Sequence, residues 1–170
     1  MPPRGTECAL SDSLSARVLL CDLNHMETDN PTGLNLGVIW FDDDMIELEC
    51  KVAYHGFQGV ATCYTIQEDI IEFSGSLDQL AQSADGSVSF DSGLEDGSKS
   101  ISLRAYPIDR SGHLAIHLRM ATDNHANRPE GVWRVELEMR VESSPLSRFA
   151  SGLRSVAESR EGFAFLQAAD

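Results

Sequence analysis

Residues 111–119 read SGHLAIHLR, and whether this stretch is helix or strand decides the fold. His113 and His117 share the stretch. Their spacing brings side chains together on a helix but holds them about 13 Å apart on a strand rising roughly 3.3 Å per residue. Leu114, Ile116, Leu118 and Met120 alternate with Ala115, His117 and Arg119, the period of a half-buried strand. Two ligands of one zinc ion must lie within about 4 Å of each other, given Zn–N bonds near 2.1 Å. The two histidines therefore read as members of a wet sheet face and not as a metal centre.

The same alternation recurs on both sides. In IELECKVAY (46–54), Leu48, Cys50, Val52 and Tyr54 alternate with Glu47, Glu49 and Lys51. KSISLRAY (99–106) puts Ile101, Leu103 and Ala105 on one face, with Ser102, Arg104 and Tyr106 on the other. WRVELEMRV (133–141) sets Trp133, Val135, Leu137, Met139 and Val141 against Arg134, Glu136, Glu138 and Arg140. Such strands belong to an antiparallel sheet with one dry and one wet face. ARVLLCDL near residues 17–23, LNLGVIWF (34–41), VATCYTI (60–66) and GSVSFDS (86–92) read as further strands. Turns are marked by METDNPTG, Asp42-Asp43-Asp44, HGFQG and Asp96-Gly97.

Two segments carry the helical period instead. Ile66, Ile70, Phe73, Leu77, Leu80 and Ala81 predict an amphipathic helix over 66–82, with Thr65 and Glu68 as a capping box. Gly75 in its interior costs about 1 kcal/mol relative to Ala, which argues for a close contact or a kink. Leu146, Phe149, Leu153 and Val156 predict a second helix, with Ser144 as N-cap and Pro145 in the first helical position. The dry sheet needs a cover, and these helices supply it. The expected fold is α+β and β-rich: a twisted antiparallel sheet of about six to eight strands with two amphipathic helices on one side. A sandwich with helices at its edges is the alternative. Residues 1–16 are expected to be a flexible N-terminal segment and 17–157 a single domain. Residues 158–170 read as a C-terminal tail, loose or briefly helical around Phe163, Phe165 and Leu166.

With 170 residues, the chain can bury about 70% of the surface it exposes when unfolded. No apolar run reaches the ~20 residues of a spanning helix, and the N-terminus lacks the basic-then-apolar pattern of a secretory signal. The expected location is the cytoplasm, where Cys8, Cys21, Cys50 and Cys63 stay reduced. The net charge of −14 is unevenly spread. Residues 1–98 hold 18 acids against 3 bases, and residues 99–170 hold 9 acids against 10 bases. An acidic half repels nucleic acid and anionic membranes, so neither is an expected partner. It either keeps the chain soluble or attracts a basic protein and speeds encounter with it.

No catalytic signature is present: the sequence has no G-x-S-x-G turn, Gly-rich phosphate loop or H-E-x-x-H. Asp42-Asp43-Asp44 lacks the spacing of a calcium loop and reads as a solvated turn. No metal, cofactor or enzymatic activity is expected. Trp40 and Trp133 read as core or edge packing, with interface anchoring as the lesser alternative. Arg104, Tyr106, His113, His117 and Arg119 form a polar set that would hold a small ligand, or serve an enzyme, only if the sheet curled into a pocket.

One ordered set of pieces remains. HGFQG is followed by a helix with Phe73, Leu77 and Leu80, then GSVSF, then SLRAYPIDRSGHLAIHL, then WRVELEM running into PLSRFASGL. Over roughly residues 45–156 this order resembles the WapI-type bacterial immunity proteins and their relatives, with Asp109, Gly112 and His113 matching a D-x-x-G-H turn. The resemblance implies a non-enzymatic protein that neutralises a toxin domain, commonly a nuclease, by binding it. Charge leads to the same kind of partner, since a nuclease that grips phosphate is basic. The expected contact surface comprises Glu27, Asp29, Asp42, Asp43, Asp44, Glu47 and Glu49. A scaffold or oligomer component without a dedicated ligand is the remaining alternative.

Overall fold

The computed structural model describes residues 32–93, 99–109, 111–123 and 129–169. Within them the chain runs β1 (Gly33–Phe41), β2 (Ile46–Tyr54), β3 (Phe57–Thr65), α1 (Gln67–Ser83), β4 (Val88–Gly93) and β5 (Ser100–Pro107). It continues through β6 (Leu114–Asp123), β7 (Val132–Val141), α2 (Ser143–Ser159) and β8 (Phe163–Gln167). The fold is α+β and sheet-rich, as the alternating pattern predicts. The strands divide between two four-stranded antiparallel sheets, ordered β3-β2-β1-β8 and β4-β5-β6-β7. The strand expected at 17–23, Glu27, Asp29 and the turn at Asp96-Gly97 lie outside the described residues.

Alternation builds each sheet. Leu34, Leu36, Ile46, Leu48, Cys50, Val52, Ala61, Cys63, Ala164 and Leu166 form the buried face of the first. Phe90, Ile101, Leu103, Ala105, Leu114, Ile116, Leu118, Met139 and Val141 form that of the second. The turn between β2 and β3 is two residues long, Tyr54 pairing with Phe57, and both His55 (φ 46°) and Gly56 (φ 82°) are left-handed. That geometry matches the twist of the strands it joins.

The sheets meet across β3. A Cβ at Gly59 would lie 2.4 Å from Met120 Cε and 2.7 Å from Val135 Cγ2, so only glycine admits this approach. Further along β3, Cys63 lies against Ile101 and Ser92, and the Ser92 hydroxyl donates to the Tyr64 carbonyl at 2.6 Å. Ser92, Ile101, Met120 and Val135 are successive cross-strand partners. Strand β3 therefore lies across the strands of the second sheet, an orthogonal packing.

The helices fill the rest of the core. α1 buries Ile70, Phe73, Leu77 and Leu80, and α2 buries Leu146, Phe149, Leu153 and Val156. Phe73 packs on Phe90 of β4 with ring centroids 5.2 Å apart. Ser147 of α2 donates to Asp78 of α1 at 2.6 Å, and Gly152 lets α2 approach Ala164 of β8. The close contact expected at Gly75 is with the Arg154 guanidinium, which a Cβ there would meet at 3.2 Å.

Three local expectations are corrected. The capping box does not form: Thr65 is paired with Ile46 in the sheet, Ile66 becomes the N-cap, and the Thr65 hydroxyl reaches Asp69 instead. α2 begins at Ser143 after Glu142, so Pro145 sits within the first turn, where the missing N–H has no intrahelical acceptor. Residues 163–167 form neither a loose tail nor a helix. Arg160 (φ 56°) and Gly162 (φ 85°) end α2 and reverse the chain, and β8 pairs antiparallel with β1. Ala164 and Leu166 enter the core, and Ala169 N–H closes onto the Arg140 carbonyl of β7.

Candidate interaction surface

The outer face of the first sheet carries the acidic residues of β2. Glu47 and Glu49 alternate with the buried Leu48 and Cys50, so their parity alone sends them outward. Strands β1 and β3 flank β2, which places Trp40, Glu47 and Tyr64 in one cross-strand row. Trp40 joins that row through a β-bulge. The register shifts between Val38 and Trp40, leaving Ile39 as the extra residue. Without the shift, Trp40 would share the inward parity of Leu34, Leu36 and Val38. The bulge re-aims it to the solvent face.

The result is an aromatic pair above a carboxylate. Trp40 and Tyr64 meet edge to face, with centroids 6.2 Å apart and planes at 85°. They remain 46% and 43% exposed, with Ile39, Val60 and Phe163 also exposed on this sheet. Glu47 between them is half-buried and has no hydrogen-bond or ion-pair partner among the described residues. Glu49, one row away, is paired with Lys51 at 2.5 Å.

Asp42, Asp43 and Asp44 form the exposed turn at the end of this sheet. Asp42 Oδ1 accepts the N–H groups of Asp44 and Met45, at 2.9 and 2.8 Å. These two bonds, with help from Arg160, hold its carboxyl below the usual range. Arg160 donates to the Asp42 carbonyl and to Gln67 Oε1, and its guanidinium lies over Phe41. That arginine ties the turn to the ends of both helices.

The outer face of the second sheet is built differently. Arg104, His117 and Glu138 form one row, and Ser102, Arg119 and Glu136 the next. His117 Nε2 lies 3.1 Å from Glu136, the Tyr106 hydroxyl donates to Glu138, and Arg104 stacks on the Tyr106 ring. The bond to Glu138, reinforced by partial burial and by the negative charge, raises the Tyr106 pKa. His113 stands just outside β6, in the turn. Its Nδ1 lies 2.5 Å from Asp109 Oδ2, and Asp109 Oδ1 accepts the Ser111 and His113 N–H groups. Those bonds, His113's first among them, lower the Asp109 pKa. The D-x-x-G-H turn thus has a structural use.

A depression of about 310 Å³ beside β4 and β5 takes in Arg119 with Asp91, Ser100 and Ser102, but none of Arg104, Tyr106, His113 or His117. Among the described residues no three His, Cys, Asp or Glu side chains gather to hold a metal ion. No helix among them is long and apolar enough to cross a membrane. Cys50 and Cys63 are free and buried, and burial raises both thiols, Cys63 to about 11.

Compared with family models, curated protein sequences and solved structures, the chain matches none of them. The surface is therefore read from its own chemistry. Asp42, Asp43, Asp44, Glu47 and Glu49 are brought to one sheet and its end turn. The aromatic residues beside them were not part of the expected surface. Tyr64 was legible, since it alternates with the inward Cys63 and Thr65. The outward Trp40 was not, because a bulge breaks the alternation that would place it. Trp133, also expected in the core or at an edge, is 62% exposed at the start of β7.

Proposed function

We propose that this chain is a non-catalytic binding protein of the immunity type, which neutralises a basic toxin domain by covering it. The observation that carries the reading is the outer face of the first sheet, where exposed Trp40 and Tyr64 flank Glu47 and the Asp42–Asp44 turn follows Phe41. Exposed aromatic residues supply the contact area of an interface core, and unpaired carboxylates select a cationic partner. A nuclease-like domain that grips phosphate presents such a surface. The resemblance in the order of strands, helix and D-x-x-G-H turn leads to the same class of partner. The complex would bury about 1,200–2,000 Å² in total.

The test is co-expression with the C-terminal domain encoded by the gene immediately upstream, scoring survival and co-purification. Rescue with a stable complex is expected. Toxicity without rescue, or no complex, would sink the reading.

A further inference from the structure

We propose that the Trp40–Glu47–Tyr64 row is a slot for one arginine side chain of a basic protein partner. The inference rests on the reading of the first sheet's outer face as a protein-binding surface, and it goes further by naming the group that surface takes.

The argument starts from Glu47. A half-buried carboxylate has lost part of its hydration, and a cation restores the lost stabilisation. Nearby charges of the same sheet are already engaged: Glu49 holds Lys51, and Arg160 is committed to the Asp42 carbonyl and Gln67. Glu47 has no such partner among the described residues, and its negative charge is felt as far as Cys63 in the core. A cation supplied from outside would meet it with no competitor among the described residues.

The rings specify which cation. Trp40 and Tyr64 meet edge to face across the Glu47 row and stay 46% and 43% exposed, so a cation approaching the carboxylate meets an aromatic wall. A guanidinium is planar, stacks on an aromatic face and presents parallel N–H donors to a carboxylate. An ammonium is a compact, strongly hydrated charge that gains less from the wall. The Asp42–Asp44 turn lies at the same end of the sheet, next to Trp40 and Phe41, and its field draws positive charge toward Glu47. The bulge at Ile39 is what exposes the Trp40 ring at this point.

The experiment uses the full chain with Trp133→Phe, which leaves Trp40 as the sole tryptophan. Its emission is followed while hexa-arginine or hexa-lysine peptide is titrated in. A saturable change is expected, with hexa-arginine bound about fivefold more tightly than hexa-lysine. Glu47→Gln is expected to weaken hexa-arginine binding about tenfold, and Trp40→Leu to a similar degree. Glu136→Gln, on the outer face of the second sheet at a carboxylate paired with His117, should stay within about twofold of wild type. Thermal melting confirms that each variant is folded.

Equal affinity for the two peptides, or a Glu47→Gln effect no larger than that of Glu136→Gln, overturns the slot and leaves only diffuse charge attraction. The two proposals fail separately. A cognate complex indifferent to Glu47→Gln removes the slot and keeps the binding partner. Arginine selectivity lost with Glu47→Gln, in a chain that neutralises no toxin, keeps the slot and removes the immunity reading.

Discussion

The outer faces of the two sheets are made by the same alternation and have opposite electrostatic character. On the second sheet, Arg104, Tyr106, His117, Glu136 and Glu138 answer one another across β5, β6 and β7. On the first, Glu47 has no cation partner among the described residues, and Trp40 and Tyr64 are exposed beside it. On the second face His117 holds Glu136 and Tyr106 holds Glu138, so a new pair for any of these means breaking an old one. A face with an unpaired carboxylate and exposed rings is left with interactions to make. On the proposed reading, the second face serves stability and the first serves recognition.

The comparison can be broken in several ways, and the largest effect is expected where the two sheets touch. Gly59→Val would force a branched side chain into Met120 and Val135, costing about 1–3 kcal/mol. Urea unfolding should show that loss as one transition, since a single core joins the two sheets. Two separate transitions would mean that the faces belong to independent units.

Charge reversal of Asp42, Asp43 and Asp44 to Lys comes next. Stopped-flow association with the basic partner should slow about tenfold at low salt, and the salt dependence should flatten. Unchanged association would reduce the acidic turn to a solubilising feature.

On the second sheet the expectation is reversed. Glu136→Gln and Glu138→Gln should each cost about 0.2–1 kcal/mol of stability in urea unfolding, with partner affinity unchanged. A fall in affinity without a fall in stability would erase the distinction between the faces.

The smallest effect is a titration. Tyr106 should ionise above the ordinary tyrosine range by ultraviolet absorbance, and Glu138→Gln should bring it back down. Because the folded pKa lies above the unfolded one, the associated stability is complete below the unfolded tyrosine range. It is lost as pH rises through the folded value. Asp109 has the opposite sign. Its lowered folded pKa gives stability present above the unfolded carboxylate range and lost as pH falls through the folded value.

The legibility of the chain follows the same division. SGHLAIHLR could be read as strand because Leu114, Ile116 and Leu118 need only local parity, and all are buried. Both helices were visible for the matching reason, their apolar stripes recurring at helical spacing. The C-terminal strand was hidden because FAFLQ is too short to show a period and its partner is β1, far away in sequence. The capping box failed because Thr65 had a competing place in the sheet. His113 was assigned to the wet face by parity, yet Asp109 holds it in the turn.

The sequence by itself determined the sheet-rich α+β class, the outward side of strands β2, β5, β6 and β7, and the acidic character of β2 and its turn. These depend on residue type and on a period of two or 3.6 along the chain. Only the tertiary structure decided that the strands form two sheets crossed at β3, that a bulge turns Trp40 outward, and that Glu47 stands between two rings with no ion-pair partner among the described residues. Those outcomes depend on which strands become neighbours and in what register, and that is a property of contacts between residues distant in the chain.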